Sequence, residues 1–348
     1  ELEFALEHCG KPWIGITGTN GKTTTTELTA ELFRASGIRA KACGNNGYAM
    51  SDAARDCLDG LLDLPVVEVS SFQLETMEAP RPAAAALLNL ASDHIDRHGS
   101  FDAYAKAKLR LFSWNETRCV INSDLLPIAE KTLAGRVPRT FSATDSAADF
   151  HVEDGALRFH GRELARLDEL RLHGRHNHEN ALAALALLAS IRGEDALSDP
   201  RVRSALTAFA SGEHRQECFL ERNGIRYVND SKATNPHAVN AALADMEPHS
   251  VLILLGGLDK DMNFNELRNS SNKIRTAFLF GSCAMRIADA IADVIQCVQC
   301  DGFEDAVRQA TAAATPGDCV LLSPATASMD LFRDYRERGE RFKELVLR

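Results

Sequence analysis

The stretch Thr17-Gly18-Thr19-Asn20-Gly21-Lys22-Thr23-Thr24 constrains this chain more tightly than any other. It follows a compact apolar run, Trp13-Ile14-Gly15-Ile16, which reads as a buried strand. It precedes a helical pattern with Leu28, Leu32 and Phe33 on one side. Strand, glycine loop, lysine, hydroxyl and helix, in that order, build a phosphate cradle. Backbone N–H groups face the anion, and the helix N-terminus adds partial positive charge. In such a loop Lys22 sits on the β- and γ-phosphates and Thr23 offers its hydroxyl to Mg2+. The spacing departs from G-x-x-x-x-G-K-[ST], because Ile16 stands six before Lys22 and the glycines fall at 15 and 18. The alternative is an ordinary glycine-rich turn with a surface lysine.

A chain of 348 residues predicts two or three domains, since single cores rarely grow past about 250–300 residues. The net charge of −10 argues against a general nucleic-acid binder, which needs a basic surface. No apolar run approaches the roughly 20 residues that span a bilayer. The acidic, amphipathic start, Glu1 to Glu7, is not a signal peptide. Nine cysteines are scattered singly except for Cys297-Val-Gln-Cys300, a pattern that suits reduced thiols in a cytoplasmic protein. One C-x-x-C without a second pair is weak ground for zinc.

The first half alternates strand-like and helix-like segments. Strands are expected at Trp13–Thr17, Val66–Val69, Ala83–Leu90 and Cys119–Asn122, and helices around Thr23–Ser36 and Phe101–Phe112. Such alternation predicts an α/β fold with a parallel sheet. From Phe141 to Leu172 short alternating runs suggest a small antiparallel excursion, followed by a helix over Asn177–Ile191. A second α/β series has strands at Ile225–Asn229, Val251–Leu255, Ala277–Phe280 and Cys319–Leu322. The region of Ser211-Gly212-Glu213 is the expected hinge, giving domains 1–211 and 212–348.

Further polar clusters sit at the ends of these strands, the edge where open α/β sheets bind ligands. Glu68, inside Val66-Val-Glu-Val69, is a buried carboxylate that needs a metal or a cationic partner. Asp93-His94 follow the Ala83 strand, so His94 is either a ligand or a surface histidine. Lys106 and Lys108 lie on one helix, and by themselves both read as solvated. Asn177 and Asn180 share a face near a helix N-terminus, suited to contacts with a base or phosphate or to simple capping. In the second half, His214-Arg215, Asn229-Asp-Ser-Lys-Ala-Thr-Asn235, Gly256-Gly-Leu-Asp-Lys260 and Ser323-Pro-Ala-Thr-Ala-Ser328 suit a small dicarboxylate, or are plain strand-end turns.

Taken together, Gly18-Thr-Asn-Gly-Lys-Thr, Glu68-Val-Ser-Ser-Phe-Gln-Leu-Glu75, Asp93-His-Ile-Asp-Arg97, Gly174-Arg-His-Asn-His-Glu-Asn180, His214-Arg215, Asn229 to Asn235 and Leu322 to Ser328 resemble the Mur ligase family. The resemblance spans almost the whole chain. It is closest to the branch that adds D-glutamate to UDP-N-acetylmuramoyl-L-alanine in peptidoglycan synthesis. It implies a central P-loop-type ATPase domain with a parallel sheet, followed by a Rossmann-like domain that binds the amino acid. It also implies that the family's N-terminal UDP-binding domain is absent from this chain.

The implied reaction is ATP-dependent: an acyl phosphate forms on the acceptor carboxylate and the glutamate amine displaces phosphate. Gly18, Thr19, Asn20, Gly21, Lys22, Thr23, Thr24, Asn45, Asn177, Asn180, Arg215, Asp230 and Lys232 match the family's ATP contacts, with Arg215 on the γ-phosphate. Thr23, Glu68, His94 and Lys108 match the residues that organise two Mg2+ ions, Lys108 as a carbamate. Lys22, Glu68, His94, Lys108 and Arg215 therefore carry the catalytic roles. Thr234, Lys260, Ser328 and the backbone at Tyr335 match the glutamate positions, and Ser70 and Gln73 the muramoyl substrate. The expected partners are these small molecules, with no nucleic acid or membrane, and a monomer is expected.

Three positions differ from the family pattern: Tyr335 for the usual Phe, Asn46 in Asn45-Asn46, and Asp261 after Lys260. The extra carboxylate leaves a variant ligase adding L-glutamate or another amino acid as an alternative. A non-catalytic ATP-binding fragment is another.

Overall fold

The computed structural model describes residues 1–348 apart from Asn46, Ser211 and Asp245, and apart from the side chain of Asp96. The Asn46 difference and the expected boundary residue Ser211 thus lie outside the described residues. Packing divides the chain into two units, Glu1–Ala210 and Ser211–Arg348.

The first unit is built on a nine-stranded sheet. Its strands are β1 (Ile14–Thr17), β2 (Ala40–Gly44), β3 (Leu64–Glu68), β4 (Ala84–Leu87), β5 (Arg118–Asn122), β6 (Arg139–Ser142), β7 (Phe150–Glu153), β8 (Ala156–Phe159) and β9 (Arg162–Arg166). Their order is β2-β3-β1-β4-β5-β6-β7-β8-β9. All pairs from β2 to β7 are parallel, and β7–β8 and β8–β9 are antiparallel.

Parallel strands are covered on both faces, so they read as continuous apolar runs. The period-two alternation still sorts them. Ile14, Ile16, Val66, Ala84 and Ala86 enter one core with Leu28, Leu32 and Phe33 of the helix Lys22–Ala35. Val67, Ala85 and Leu87 enter the opposite core with Trp13, Leu111 and Phe112.

The antiparallel excursion expected at Phe141–Leu172 is present as β7, β8 and β9. Phe141 pairs in parallel with Phe150, so the hairpins extend the main sheet. The expected strand Ala83–Leu90 stops at Leu87, because the chain then turns to serve the glycine loop: Leu88 N–H donates to Thr17 O at 3.0 Å and Thr19 N–H to Asn89 O at 3.0 Å. The strand expected at Val66–Val69 begins two residues earlier and ends at Glu68.

The second unit holds a six-stranded sheet of β10 (Glu217–Arg222), β11 (Ile225–Asn229), β12 (Val251–Gly256), β13 (Ile274–Phe280), β14 (Cys297–Gln299) and β15 (Cys319–Leu322). The order is β10-β11-β15-β12-β13-β14, with only β10 antiparallel to its neighbour. Sequence reading did not single out β6 and β9 within the excursion, and it missed three further strands, β2, β10 and β14. All three are sheet edges, half-covered and poor in the apolar runs that mark central strands.

Candidate active site

In the first unit the carboxyl ends of three adjacent strands, β3, β1 and β4, supply the polar residues. Glu68 closes β3 opposite Ile16, the glycine loop follows β1, and Asn89 to His94 follow β4. Gly21 has φ 79°, and a Cβ there would lie 2.3 Å from Asn180 Oδ1, so only glycine fits both the turn and the close approach. Asn180 in turn accepts from Thr25 Oγ1 at 3.1 Å and donates to Asn177 Oδ1 at 3.2 Å. Both asparagines are buried, so the helix Arg175–Arg192 butts its first turns against the loop. Asn89 holds the other side: its side chain accepts from Asn20 N–H at 2.8 Å and donates to Asn20 O at 3.1 Å.

Beneath the loop two lysines converge on one carbonyl. Lys22 Nζ and Lys108 Nζ lie 2.9 and 2.8 Å from Gly18 O, and Lys22 also reaches Thr19 O at 2.7 Å. The reading of Lys108 as solvated is overturned: it is 2% exposed. Burial pushes its ammonium well below the usual lysine range, and the nearby charge of Lys22 adds to this against the opposing pull of Asp93 and Glu68. Burial lowers Lys22 too, again opposed by Glu68 and Asp93. Two ammonium groups beside one carbonyl repel, so this arrangement is built to receive negative charge. Tyr104 lines the same place, its hydroxyl 2.9 Å from Thr19 Oγ1 and its ring 4.6 Å from Lys108 Nζ.

Glu68 is 3% exposed. Asn45 donates to its Oε1 at 2.9 Å, while Oε2 is buried without a hydrogen-bond partner. An orphaned carboxylate oxygen is costly unless something cationic meets it, which fits a divalent ion. His94 opens the helix Ile95–His98 with φ 54°, 3.7 Å from Asp93 and with its ring 4.7 Å from that of Phe72. Ser70 and Gln73 form a reciprocal capping box on the helix Ser71–Thr76, so both side chains are already engaged with the backbone there.

The second unit gathers its candidates at the carboxyl ends of β11, β15 and β12. Ala325 N–H donates to Ala233 O at 3.0 Å and Leu258 N–H to Ala327 O at 2.8 Å, which brings the segments of Thr234, Lys260 and Ser328 to one edge. Gly257 allows this, since a Cβ there would stand 2.2 Å from Ala327 O. Ser231 Oγ donates to Tyr335 O at 2.7 Å and so ties in the helix Tyr335–Leu347. Ser328 is buried and Lys260 exposed. Asp261 is 3.5 Å from Arg286, which answers its charge. Lys232 Nζ stands 4.8 Å over the Tyr335 ring, and Lys232 N–H donates to His214 O at 3.1 Å.

Arg215 lies between two non-glycine residues at positive φ, His214 at 66° and Gln216 at 47°. Asp230 accepts from Ser323 Oγ at 2.8 Å and Gln216 N–H at 3.2 Å, yet burial pushes its carboxyl up to about 7. A carboxyl raised in the folded state favours folding below its unfolded value near 4, and that stability is lost as pH rises through about 7. In calorimetry that resolves the two units, the second-unit transition of Asp230→Asn should therefore gain on that of the parent between pH 5.5 and pH 8. A difference that does not change with pH removes the raised carboxyl.

Three residues that organise these sites carried no assigned role in the sequence reading: Asn89, Tyr104 and Arg338. Arg338 is fully buried and spans two segments, donating from Nε to Ser231 Oγ at 3.0 Å and from Nη2 to Ser231 O at 2.7 Å and Thr326 O at 3.2 Å. Its neighbours Arg336, Glu337, Glu340 and Arg341 make it look like one more solvated charge.

The family described as "Mur ligase middle domain" matches residues 16–188, and "Mur ligase, glutamate ligase domain" matches residues 214–326. The UDP-N-acetylmuramoylalanine–D-glutamate ligase of Frankia casuarinae is 40% identical, over 99% of this chain and 74% of its own length. The enzyme of the same name from Solibacter usitatus is 39% identical, over 99% of this chain and 78% of its own. Among solved structures, a MurF ligase from Thermotoga maritima in complex with ADP aligns with TM-score 0.71 at 17% identity, over 99% of this chain and 81% of its own. A bifunctional folylpolyglutamate synthase/dihydrofolate synthase from Yersinia pestis aligns with TM-score 0.73 at 19% identity, over 99% and 92%. At those identities the structural likeness speaks to the fold. No described helix is long and apolar enough to cross a membrane.

Proposed function

The chain belongs to the Mur ligase family, and we propose that it is an ATP-dependent ligase joining D-glutamate to UDP-N-acetylmuramoyl-L-alanine in peptidoglycan precursor synthesis. The observation that carries this reading is the convergence of half-buried Lys22 and buried Lys108 on Gly18 O, with the orphaned Glu68 carboxylate acting on the same charges. A site of that kind is suited to a polyphosphate and to the carboxylate that attacks it.

A free carboxylate resists amine attack, because its leaving group is oxide. In the first half-reaction a carboxylate oxygen of the acceptor forms a bond to the γ-phosphorus of ATP while the bond to the β–γ bridging oxygen breaks, and ADP leaves. Lys22 neutralises the charge on the β- and γ-phosphates, and the loop N–H groups of Gly18 to Thr24 orient them. Thr23, Glu68 and His94 are the residues we assign to magnesium, which when bound supplies further neutralisation of phosphate charge. Asn45 orients Glu68 through the bond to Oε1. Asn177, Asn180, Arg215, Asp230 and Lys232 are assigned to the nucleotide.

In the second half-reaction the free-base amine of glutamate attacks the acyl carbon, the C–O bond to phosphate breaks, and the surplus amine proton leaves. Thr234, Lys260, Ser328 and the Tyr335 backbone are assigned to holding glutamate, and Ser70 and Gln73 to the muramoyl path.

We further assign a carbamate to Lys108. Its amine is held below the ordinary lysine range, so the neutral form that can attack carbon dioxide is favoured. The nitrogen bonds to the carbon and one N–H proton leaves. The product is an anion beside Lys22, which turns a repulsive pair into an attractive one.

The test is phosphate release by the protein with each substrate omitted in turn. Release is expected only when ATP, the UDP-muramoyl-alanine acceptor and D-glutamate are all present. Equal rates with L-glutamate would move the reading to a variant ligase. Nucleotide binding with no turnover under any combination would leave only an ATP-binding protein.

A further inference from the structure

His98 has no part in the chemistry assigned above, yet its side chain is 2% exposed and touches both the helix that follows Glu68 and the helix that carries Lys108. It ends the four-residue helix Ile95–His98 that His94 opens. Its Nε2 is 3.0 Å from Ser71 Oγ and its Nδ1 3.8 Å from the Glu75 carboxylate, both on the helix Ser71–Thr76 that follows Glu68. Its ring meets the Tyr104 ring edge-on, with centroids 5.4 Å apart, one turn before Lys108 on the helix Phe101–Leu109.

Phe72 completes the junction. It stacks on His98 with centroids 5.6 Å apart and planes within 5°, and it touches His94 at 4.7 Å. Arg97 adds an ion pair to Glu75 at 3.3 Å.

Helices of six and four residues are too short to hold themselves. His94 also stands in a left-handed conformation that a residue with a side chain adopts only under constraint. Something must fix these turns against each other, and the His98 side chain reaches from its own helix to both of the others. Metal ligands bind well only when their surroundings fix their orientation.

We propose that His98 is a positioning residue that sets His94, Glu68 and Lys108 in register and thereby determines the divalent-cation affinity of the site; this rests on the ligase reading above. Ser71, Glu75 and Phe72 are the partners through which it acts.

The experiment is a Mn2+ titration followed by electron paramagnetic resonance, on the full chain with a non-hydrolysable ATP analogue. It is run beside the Mg2+ dependence of the rate. His98→Ala is expected to weaken Mn2+ binding about tenfold or more. The Mg2+ concentration for half-maximal rate should rise by the same factor while KM for glutamate holds. His98→Gln, whose amide still reaches Ser71, should recover part of the loss, which a bulk packing defect would not. If His98→Ala does not fold, Phe72→Leu and the exposed Glu75→Gln decide, with smaller shifts in the same direction expected. Parental Mn2+ affinity in a folded His98→Ala, or in both of the milder variants, overturns the proposal. A parent protein that binds no Mn2+ overturns the metal assignment itself, and the proposal with it.

Discussion

Lys108→Ala should lower turnover by about a thousandfold, the scale of removing a preorganised charge from a water-excluded site. Short carboxylic acids such as formate or acetate should restore part of it. The alanine leaves a cavity below Gly18 O, and a small carboxylate entering it returns the negative charge beside Lys22. The side chain is 2% exposed and its ammonium form is disfavoured first by burial and then by Lys22, so this lysine is poorly suited to act as a cation. Steady-state rates with and without added acid measure the effect. Full activity in Lys108→Ala removes the carbamate, and a loss that no acid relieves while ATP still binds removes it as well.

Arg338→Met should destabilise the second unit by about 3 kcal/mol or more, the scale of leaving several buried acceptors without their donors. The guanidinium donates to Ser231 O, Ser231 Oγ and Thr326 O, and each buried acceptor left bare costs about 1–3 kcal/mol. The apolar methionine fills volume but answers none of them. Burial already holds the guanidinium down to about 9, with Asp330 and Cys283 pulling the other way.

The same substitution should raise KM for glutamate. Ser231 holds Tyr335 O, and Thr326 lies two residues before Ser328. Arg338→Lys should recover less than half, because a single ammonium cannot bridge two segments as the planar fork does. Calorimetry that resolves the two units is the measurement, since a single melting temperature is ill-defined for a chain of two packed units. A second-unit transition within about 1 kcal/mol of the parent would sink the assignment, that being the size of an ordinary surface change.

Much of the first unit was legible because its signals are local. Gly18 to Thr24 needs only its flanking strand and helix to be recognised, and Ile14, Ile16, Leu28, Leu32 and Phe33 all proved buried, as their spacing requires. Glu68 stood out for the same reason, a charge inside an apolar run. Lys108 did not: its helix has one charged and one apolar side, and nothing within a few residues says that Gly18 O will come to meet it. Arg338 was hidden the same way, among charges on a helix whose first turn is wrapped by the segments of Ser231 and Thr326. The resemblance to the Mur ligases supplied a role for Lys108 but none for Arg338, Tyr104 or His98.

By itself the sequence determined the two α/β series, the phosphate loop and the polar clusters that follow the central strands, because those follow from periodicity and turn chemistry along a few consecutive residues. The tertiary structure alone decided the strand order that sets Glu68, the loop and Asn89 on neighbouring strand ends. It also decided the burial of Lys108, Arg338 and His98. Burial is a property of what packs against a residue, and the partners here lie far apart in the chain. The same desolvation that hides these charges from a sequence reader gives each unit its chemistry: in the first, the Lys108 amine answers to Lys22, Asp93 and Glu68, and in the second the Arg338 guanidinium answers to Ser231 and Thr326, instead of to water.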